Sequence, residues 1–241
     1  MKIALIGYGK LGKAIEEIAI QRGHEILLRV TKANAETYDL TGCEMAVECS
    51  SPETAIQNIR KCVEFGVPVV VGSTGWYTHF EEIKKLTEDN SGSLLYATNF
   101  SIGVHLFWEA NKALASLMRK MTDYDVSITE VHHTAKKDAP SGTAITTAEI
   151  LIEILETKKQ WELVSANSVN DKSSLMITAL REGDAKGLHK VIYQGAFDRI
   201  ELIHEAFSRE GFARGAVAAA EFLKNKKGVY SMRDVLHHYI N

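Results

Sequence analysis

The sequence predicts an α/β protein, with a doubly wound parallel sheet over its first part and a second, α+β unit built on a mixed sheet. Two observations carry the first part. Up to Ala97, short apolar runs alternate with stretches of helical spacing, the pattern of strands joined by right-handed crossovers. Between the first run and the first helical stretch stands Gly7-Tyr8-Gly9-Lys10-Leu11-Gly12. The second unit follows from a change of texture: from Ile102 one long helical pattern gives way to strand-like segments linked by turns, which favours an antiparallel or mixed sheet.

In chain order, residues 2–6 form an apolar run and residues 13–19 repeat apolar side chains at helical spacing. Strands over residues 24–30, 45–49, 68–71 and 93–97 flank helices over 54–65 and 80–88. The second unit begins with a helix over 102–121. A strand over 125–131, a helix over 143–156 and strands over 174–181, 189–195 and 199–206 follow. A helix over 211–224 comes next, and His237-His238 read as a polar stretch of a terminal helix. The joint between the units falls at residues 99–103.

Composition narrows the function classes. The 241 residues carry a formal charge of −3 with no long basic run, so no surface is built to neutralise nucleic acid. Cys43, Cys49 and Cys62 show no Cys-x-x-Cys pairing and read as reduced structural thiols of a cytoplasmic protein. No apolar run reaches the length of a signal peptide or a membrane span. The expected partner is a small molecule.

Gly7-x-Gly9-x-x-Gly12 is the dinucleotide fingerprint, placed directly between a strand and a helix. Its glycines serve a tight turn, backbone approach to a pyrophosphate, and helix–strand packing; the alternative is a turn needed for packing alone. Gly7, Tyr8, Gly9, Lys10, Leu11 and Gly12 are therefore candidate cofactor contacts. Gly72-Ser73-Thr74 and Ala97-Thr98-Asn99-Phe100 follow later strands, at the carboxyl ends where open sheets bind ligands, although each also reads as an ordinary loop. An acid that grips the ribose belongs about 20 residues beyond the glycines. Here the second strand ends in Leu28-Arg29-Val30-Thr31-Lys32. Either Arg29 or Lys32 meets the 2′-phosphate of NADPH and Thr31 bonds a hydroxyl, or the segment is a solvated basic turn. NADPH is the expected cofactor, with NADH usable.

Residues 130–144 read Glu-Val-His-His-Thr-Ala-Lys-Lys-Asp-Ala-Pro-Ser-Gly-Thr-Ala. His132 and His133 exchange protons near neutral pH, and Lys136 and Lys137 bring positive charge. Pro140-Ser141-Gly142-Thr143 opens a helix whose first amides attract anions. A substrate bearing carboxylates suits that chemistry. Adjacent histidines alone are weak signals, as His237-His238 show; the company of Lys136 and the helix start separates the first pair from the second. Against this stands a structural reading of both histidines as hydrogen-bonded members of the fold. Lys137 reads as a solvated neighbour and Asp138 as a turn initiator. Arg181 and His189 read as supports of the middle sheet, with reach into the same cleft as the alternative.

The segment resembles, nearly letter for letter, the signature of the 4-hydroxy-tetrahydrodipicolinate reductase (dihydrodipicolinate reductase) family. The resemblance extends to the glycine fingerprint, Val-Gly-Ser-Thr-Gly-Trp at 71–76, Asn-Phe-Ser-Ile-Gly-Val at 99–104, Arg181-Glu182-Gly183-Asp184 with Gly187-x-His189, and Phe212-Ala213-x-Gly215-Ala216. It implies a Rossmann domain of residues 1–102 completed by 211–241, and an intervening domain of residues 103–210 that binds substrate. It also implies a homotetramer assembled through the sheets of the middle domains. The implied activity is NAD(P)H-dependent reduction of an unsaturated cyclic imine dicarboxylate on the diaminopimelate route to lysine, with hydride arriving at C4 and a proton at the neighbouring carbon. In the family pattern His132 matches the proton donor and Lys136 a second catalytic residue that also pairs with a carboxylate. His133, Gly142 and Thr143 match substrate contacts, with Ser141 beside them. The chain departs from the pattern at residues 31–44, a short connection where many members carry an extra β-α element.

Other readings compete. One is another two-domain nicotinamide-dependent dehydrogenase of amino-acid metabolism; an aldehyde-oxidising relative needs a cysteine nucleophile, and all three cysteines precede the second unit. A non-catalytic dinucleotide-binding redox sensor has no need of His132, Lys136 and the Ser141-Gly142-Thr143 cradle together. No metal site is expected, since His-Glu-x-x-His and its relatives are missing.

Overall fold

The computed structural model describes residues 1–165 and 171–240. The chain opens with β1 (Lys2–Ile6), α1 (Lys10–Gln21), β2 (Glu25–Val30), β3 (Met45–Glu48), α2 (Pro52–Glu64), β4 (Val69–Val71), α3 (Phe80–Asp89) and β5 (Ser93–Tyr96). Because side chains alternate across a strand, β1 feeds two cores: Ile3 and Leu5 pack with Ile15, Ile18 and Ala19 of α1, whereas Ala4 and Ile6 pack with Ala55, Ile59 and Cys62 of α2 and Ile83 of α3. Helices on both faces explain why β3 and β4 throughout, and β1 from Ile3 on, are continuously buried rather than alternating. Pro52 starts α2, where its missing N–H costs no hydrogen bond.

The next stretch holds α4 (Ile102–Met118), β6 (Asp125–His132), α5 (Gly142–Ile154), β7 (Gln160–Leu163), β8 (Ser174–Arg181), β9 (Leu188–Gln194) and β10 (Arg199–Glu205). Its strands form a mixed sheet in the order β10-β9-β6-β8-β7, with β6 parallel to β8 and antiparallel to β9. One face carries Val126, Ile128, Ile177, Val191 and Tyr193 against Phe107 and Trp108 of α4 and Ala144, Ala148 and Leu151 of α5. Trp108 Nε1 donates to Thr147 Oγ1 at 2.9 Å, tying the two helices together. The other face, with Ser127, Thr129, Val131, Met176, Thr178 and Ile192, is only half-buried.

The chain closes with α6 (Glu210–Leu223), β11 (Gly228–Ser231) and α7 (Met232–Ile240). β11 pairs in parallel with β5, completing an all-parallel sheet of order β11-β5-β4-β3-β1-β2. The run of small residues on α6 lets the helix press on the loop after β5: a Cβ at Gly215 would stand 1.7 Å from the Phe100 carbonyl oxygen. Two units result, Met1–Ile102 with Arg209–Asn241, and Gly103–Ser208.

Two strands escape the sequence pattern. β7 and β11 are four-residue segments, Gln-Trp-Glu-Leu and Gly-Val-Tyr-Ser, without an apolar run, and both lie at sheet edges where the neighbouring strand supplies their partners. α4 also ends at Met118, short of the expected residue 121, and α5 begins at Gly142. No helix among the described residues is long and apolar enough to cross a membrane. Cys43, Cys49 and Cys62 are free thiols.

Candidate active site

In the first unit the fingerprint glycines occupy positions that exclude side chains for separate reasons. Gly7 has φ +96°, and a Cβ there would meet the Cys49 carbonyl oxygen at 2.5 Å; a Cβ at Gly12 would stand 2.4 Å from the Gly7 oxygen. Gly9 faces open space. It caps α1 without a side-chain cap hydrogen bond. Tight turn, close packing and an open approach to a helix N-terminus are what a dinucleotide pyrophosphate requires, so these residues fit that cofactor. Leu11 and Tyr8 turn their side chains toward the core, leaving their backbone to a ligand, while Lys10 is exposed.

Because β4 and β5 are paired neighbours, the loops that follow them are brought together. A Cβ at Gly72 would lie 2.7 Å from the Phe100 ring. Ser73 is buried and its hydroxyl has no hydrogen-bond partner, which suits a ligand contact. Thr74 and Thr98 are exposed, Ala97 and Phe100 are packed, and Asn99 Oδ1 accepts the Ser101 N–H at 2.8 Å.

At the end of β2, Arg29 does not stand free as a phosphate ligand. Its Nε donates to both Glu16 oxygens at 3.1 and 3.2 Å, and the Tyr8 hydroxyl donates to the same carboxylate. Arg29 first, then Tyr8, holds the Glu16 carboxyl below its ordinary range. Glu16 was invisible as a partner in the sequence, since helix and strand meet only in the fold. Thr31 and Lys32 are exposed on a turn in which Asn34 Oδ1 accepts the Thr31 N–H at 2.7 Å.

The second unit gathers its chemistry by strand register. On β6, Glu130 pairs across to His189 of β9, and His132 pairs to Arg181 of β8. Glu130 is fully buried, and both its oxygens accept the Ser141 N–H at 3.1 Å. Arg181 Nη2 lies 3.2 Å from Glu130 Oε1, and its Nε donates to the Lys136 carbonyl at 3.3 Å. Lys136 Nζ meets Asp138 Oδ2 at 2.6 Å. Ser141 caps α5, its hydroxyl accepting the Ala144 N–H at 3.2 Å, and Gly142 faces open space. The proton-exchanging, cationic and anion-receptive groups are thus held to one carboxylate. His133 is half-buried and offers its carbonyl to the Lys136 N–H at 3.0 Å; Lys137 is exposed.

Arg181 and His189, which the sequence leaves as supports of the middle sheet or as groups reaching the same cleft, belong to strands of that sheet, and register brings both against Glu130 and His132; the His132 and His189 ring centroids are 5.2 Å apart. Asp138 does more than start a turn, since it is the counter-ion of Lys136, which holds its carboxyl low. Glu130 does carry a sequence signal, since a spacing of two residues from His132 on a strand places both on one face.

Burial pulls the His132 pKa down; Glu130 and Asp138 oppose that shift, and Lys136 and Arg181 reinforce it. Burial lowers His189 further, to about 3, so it stays neutral across the physiological range. Glu130, His132 and His189 bring metal-ligating atoms within 4.8 Å of one another. The carboxylate of that cluster is already engaged by Arg181 and the Ser141 amide.

Fold and site together define a dinucleotide-dependent oxidoreductase built of two units. Residues 1–100 match the family model described as dihydrodipicolinate reductase, N-terminus, and residues 103–236 match dihydrodipicolinate reductase, C-terminus. A 4-hydroxy-tetrahydrodipicolinate reductase of Christiangramia forsetii is 42% identical over 238 residues, covering 98% of each chain. A relative of the same name from Methanocaldococcus jannaschii is 34% identical over 238 residues, covering 96% of this chain and 80% of its own. In fold, the chain resembles the dipicolinate-bound dihydrodipicolinate reductase from Paenisporosarcina sp. TG-14, with a TM-score of 0.76 at 20% identity over 96% of this chain and 97% of that one. The chain belongs to the dihydrodipicolinate reductase family and is an NAD(P)H-dependent oxidoreductase of the diaminopimelate route to lysine.

Proposed function

We propose that the chain reduces 4-hydroxy-tetrahydrodipicolinate to tetrahydrodipicolinate, with NADPH preferred and NADH usable. The observation that carries this reading is the fully buried carboxylate of Glu130, which the Ser141 amide and Arg181, itself bonded to the Lys136 carbonyl, hold and beside which His132 Nδ1 stands at 3.5 Å. The 4-hydroxyl leaves as water with a proton from the neighbouring carbon, whose C–H electron pair forms a double bond to C4; hydride then adds at C4 and a proton returns to the neighbouring carbon. Bound nicotinamide supplies the hydride. His132 supplies the proton, and the depression of its pKa by burial is offset when a dianionic substrate arrives beside it. Lys136 exchanges Asp138 for one substrate carboxylate, and the Gly142 and Thr143 amides at the start of α5 receive the other, with His133 and Ser141 alongside.

Residues 1–102 and 211–241 hold the dinucleotide through Gly7 to Gly12, the Gly72-Ser73-Thr74 and Ala97-Thr98-Asn99-Phe100 loops, and the Arg29, Thr31 and Lys32 turn. Residues 103–210 hold the substrate. The absence of a carboxylate at the end of β2 supports NADPH, and Arg29 keeps further N–H donors for a 2′-phosphate while paired to Glu16. The half-buried face of the mixed sheet supports assembly into a homotetramer, and three free thiols support a cytoplasmic setting.

The test follows NADPH and NADH absorbance when purified protein meets freshly prepared substrate. If neither cofactor is oxidised in a substrate-dependent way, the function is wrong. His132→Gln is expected to cut turnover about 100-fold or more while leaving cofactor affinity nearly unchanged. Full activity in that variant removes His132 from the proton step.

A further inference from the structure

We propose that Glu130 is a positioning residue that selects which ring nitrogen of His132 delivers the proton, and that Arg181 opposes Glu130 in setting when His132 is charged. The inference deepens the function proposed above, because it rests on His132 being the proton donor.

Glu130 is completely removed from water, and a carboxylate persists there only when donors surround it. The Ser141 amide and Arg181 satisfy part of its capacity. The remaining approach belongs to His132, whose Nδ1 lies 3.5 Å from Glu130 Oε2. That nitrogen is buried and has no hydrogen-bond partner. A gap of this length is too wide for a strong N–H···O bond, and a small rotation of the ring closes it. With Nδ1–H turned to the carboxylate, the exchangeable proton resides on Nε2, the logic by which a carboxylate fixes the tautomer of a neighbouring imidazole. Gly187 supports the same assignment. It has φ +146°, and a Cβ there would come within 3.2 Å of His132 Nε2, so the bare backbone spares the delivering nitrogen a side-chain contact.

The groups facing His132 carry both signs. Glu130 and Asp138 favour the imidazolium, Lys136 and Arg181 disfavour it, and His189, itself faced by His204, packs edge-on and neutral. In the proton step the Nε2–H bond of the imidazolium breaks as a C–H bond forms on the substrate, and the electron pair of the broken bond stays on Nε2. Nδ1–H remains on the ring against Glu130, the neutral ring regains its proton from solvent, and the nicotinamide cofactor is oxidised as the substrate is reduced.

Glu130→Gln keeps the volume and an acceptor for the Ser141 amide while removing the charge; Arg181→Gln removes the opposing cation. The measurements are nitrogen NMR of the His132 ring in the substrate-free protein and the pH profile of kcat/KM. The wild-type ring is expected as the Nδ1–H tautomer when neutral. Glu130→Gln should lower the pH at which His132 takes up its proton by about one unit or more and mix the tautomers, and Arg181→Gln should raise that pH. The alkaline limb of kcat/KM should move in the same directions. A wild-type Nε2–H tautomer, or shifts that are absent or of the same sign in both variants, overturns the proposal. Should Glu130→Gln fail to fold, Arg181→Gln decides alone: a raised value supports the pairing, and an unchanged or lowered one overturns it. NMR reads the pairing without turnover, so an inactive wild type or a fully active His132→Gln counts against the proposed function and leaves this measurement intact.

Discussion

Arg29 of β2 pairs with Glu16 of α1, and Arg181 of β8 pairs with Glu130 of β6. Both pairs join different elements, and both lie beside residues proposed above to meet ligand. In the first, 43% of the Arg29 side chain is exposed against 12% of the Glu16 side chain, and among the described residues the carboxylate has only side-chain partners. In the second, the carboxylate is 0% exposed and also holds a backbone amide. An arginine at the surface can trade its carboxylate for a phosphate at little cost. A buried carboxylate cannot be opened without stranding a charge and an amide out of water. The pair with a half-exposed arginine is suited to exchange and the fully buried carboxylate to holding geometry.

The sharpest way to break this contrast is stability. Glu130→Ala should cost about 3–5 kcal/mol in urea unfolding, whereas Glu16→Ala should cost about 1 kcal/mol or less. Equal losses would erase the distinction. The next effect is on cofactor choice: Arg29→Ala should raise the KM for NADPH about tenfold and that for NADH much less. Parallel changes for both cofactors would remove Arg29 from the 2′-phosphate. Glu16→Gln should act in the opposite sense, lowering the KM for NADPH a few-fold by releasing the arginine from competition. An unchanged ratio of the two KM values would show that Glu16 does not compete.

The smallest effect is on pH. His189 stays neutral in the fold down to about pH 3, yet takes up a proton near its ordinary 6.5 once unfolded. The unfolded chain therefore binds more protons in that window, and the stability of the unit Gly103–Ser208 declines as pH falls below about 6.5. Glu16, with its pKa lowered by Arg29, contributes fully above the ordinary carboxylate range and loses that contribution only on further acidification. Amide protection on β9, taken relative to the intrinsic exchange rate at each pH, should fall before protection on β2 as pH drops from about 7 to 5. A uniform fall in both would contradict this order.

What the chain alone determines is what short-range spacing can express. Gly7, Gly9 and Gly12 between a strand and a helix specify a dinucleotide turn, because the turn, the packing and the open amides are made within a few residues. The alternation of apolar runs specifies a doubly wound sheet for the same reason. Residues 130–144 reveal His132, Lys136 and the start of α5 because strand, loop and helix cap are contiguous. The tertiary structure alone decides how these groups are held. Arg181 and His189 reach Glu130 and His132 through the register of β8 and β9 against β6, and register is a long-range property that no local pattern encodes. The same holds for Glu16 beside Arg29, for Gly215 against Phe100, and for the edge strands β7 and β11, whose stability lies in the neighbouring strand rather than in their own side chains.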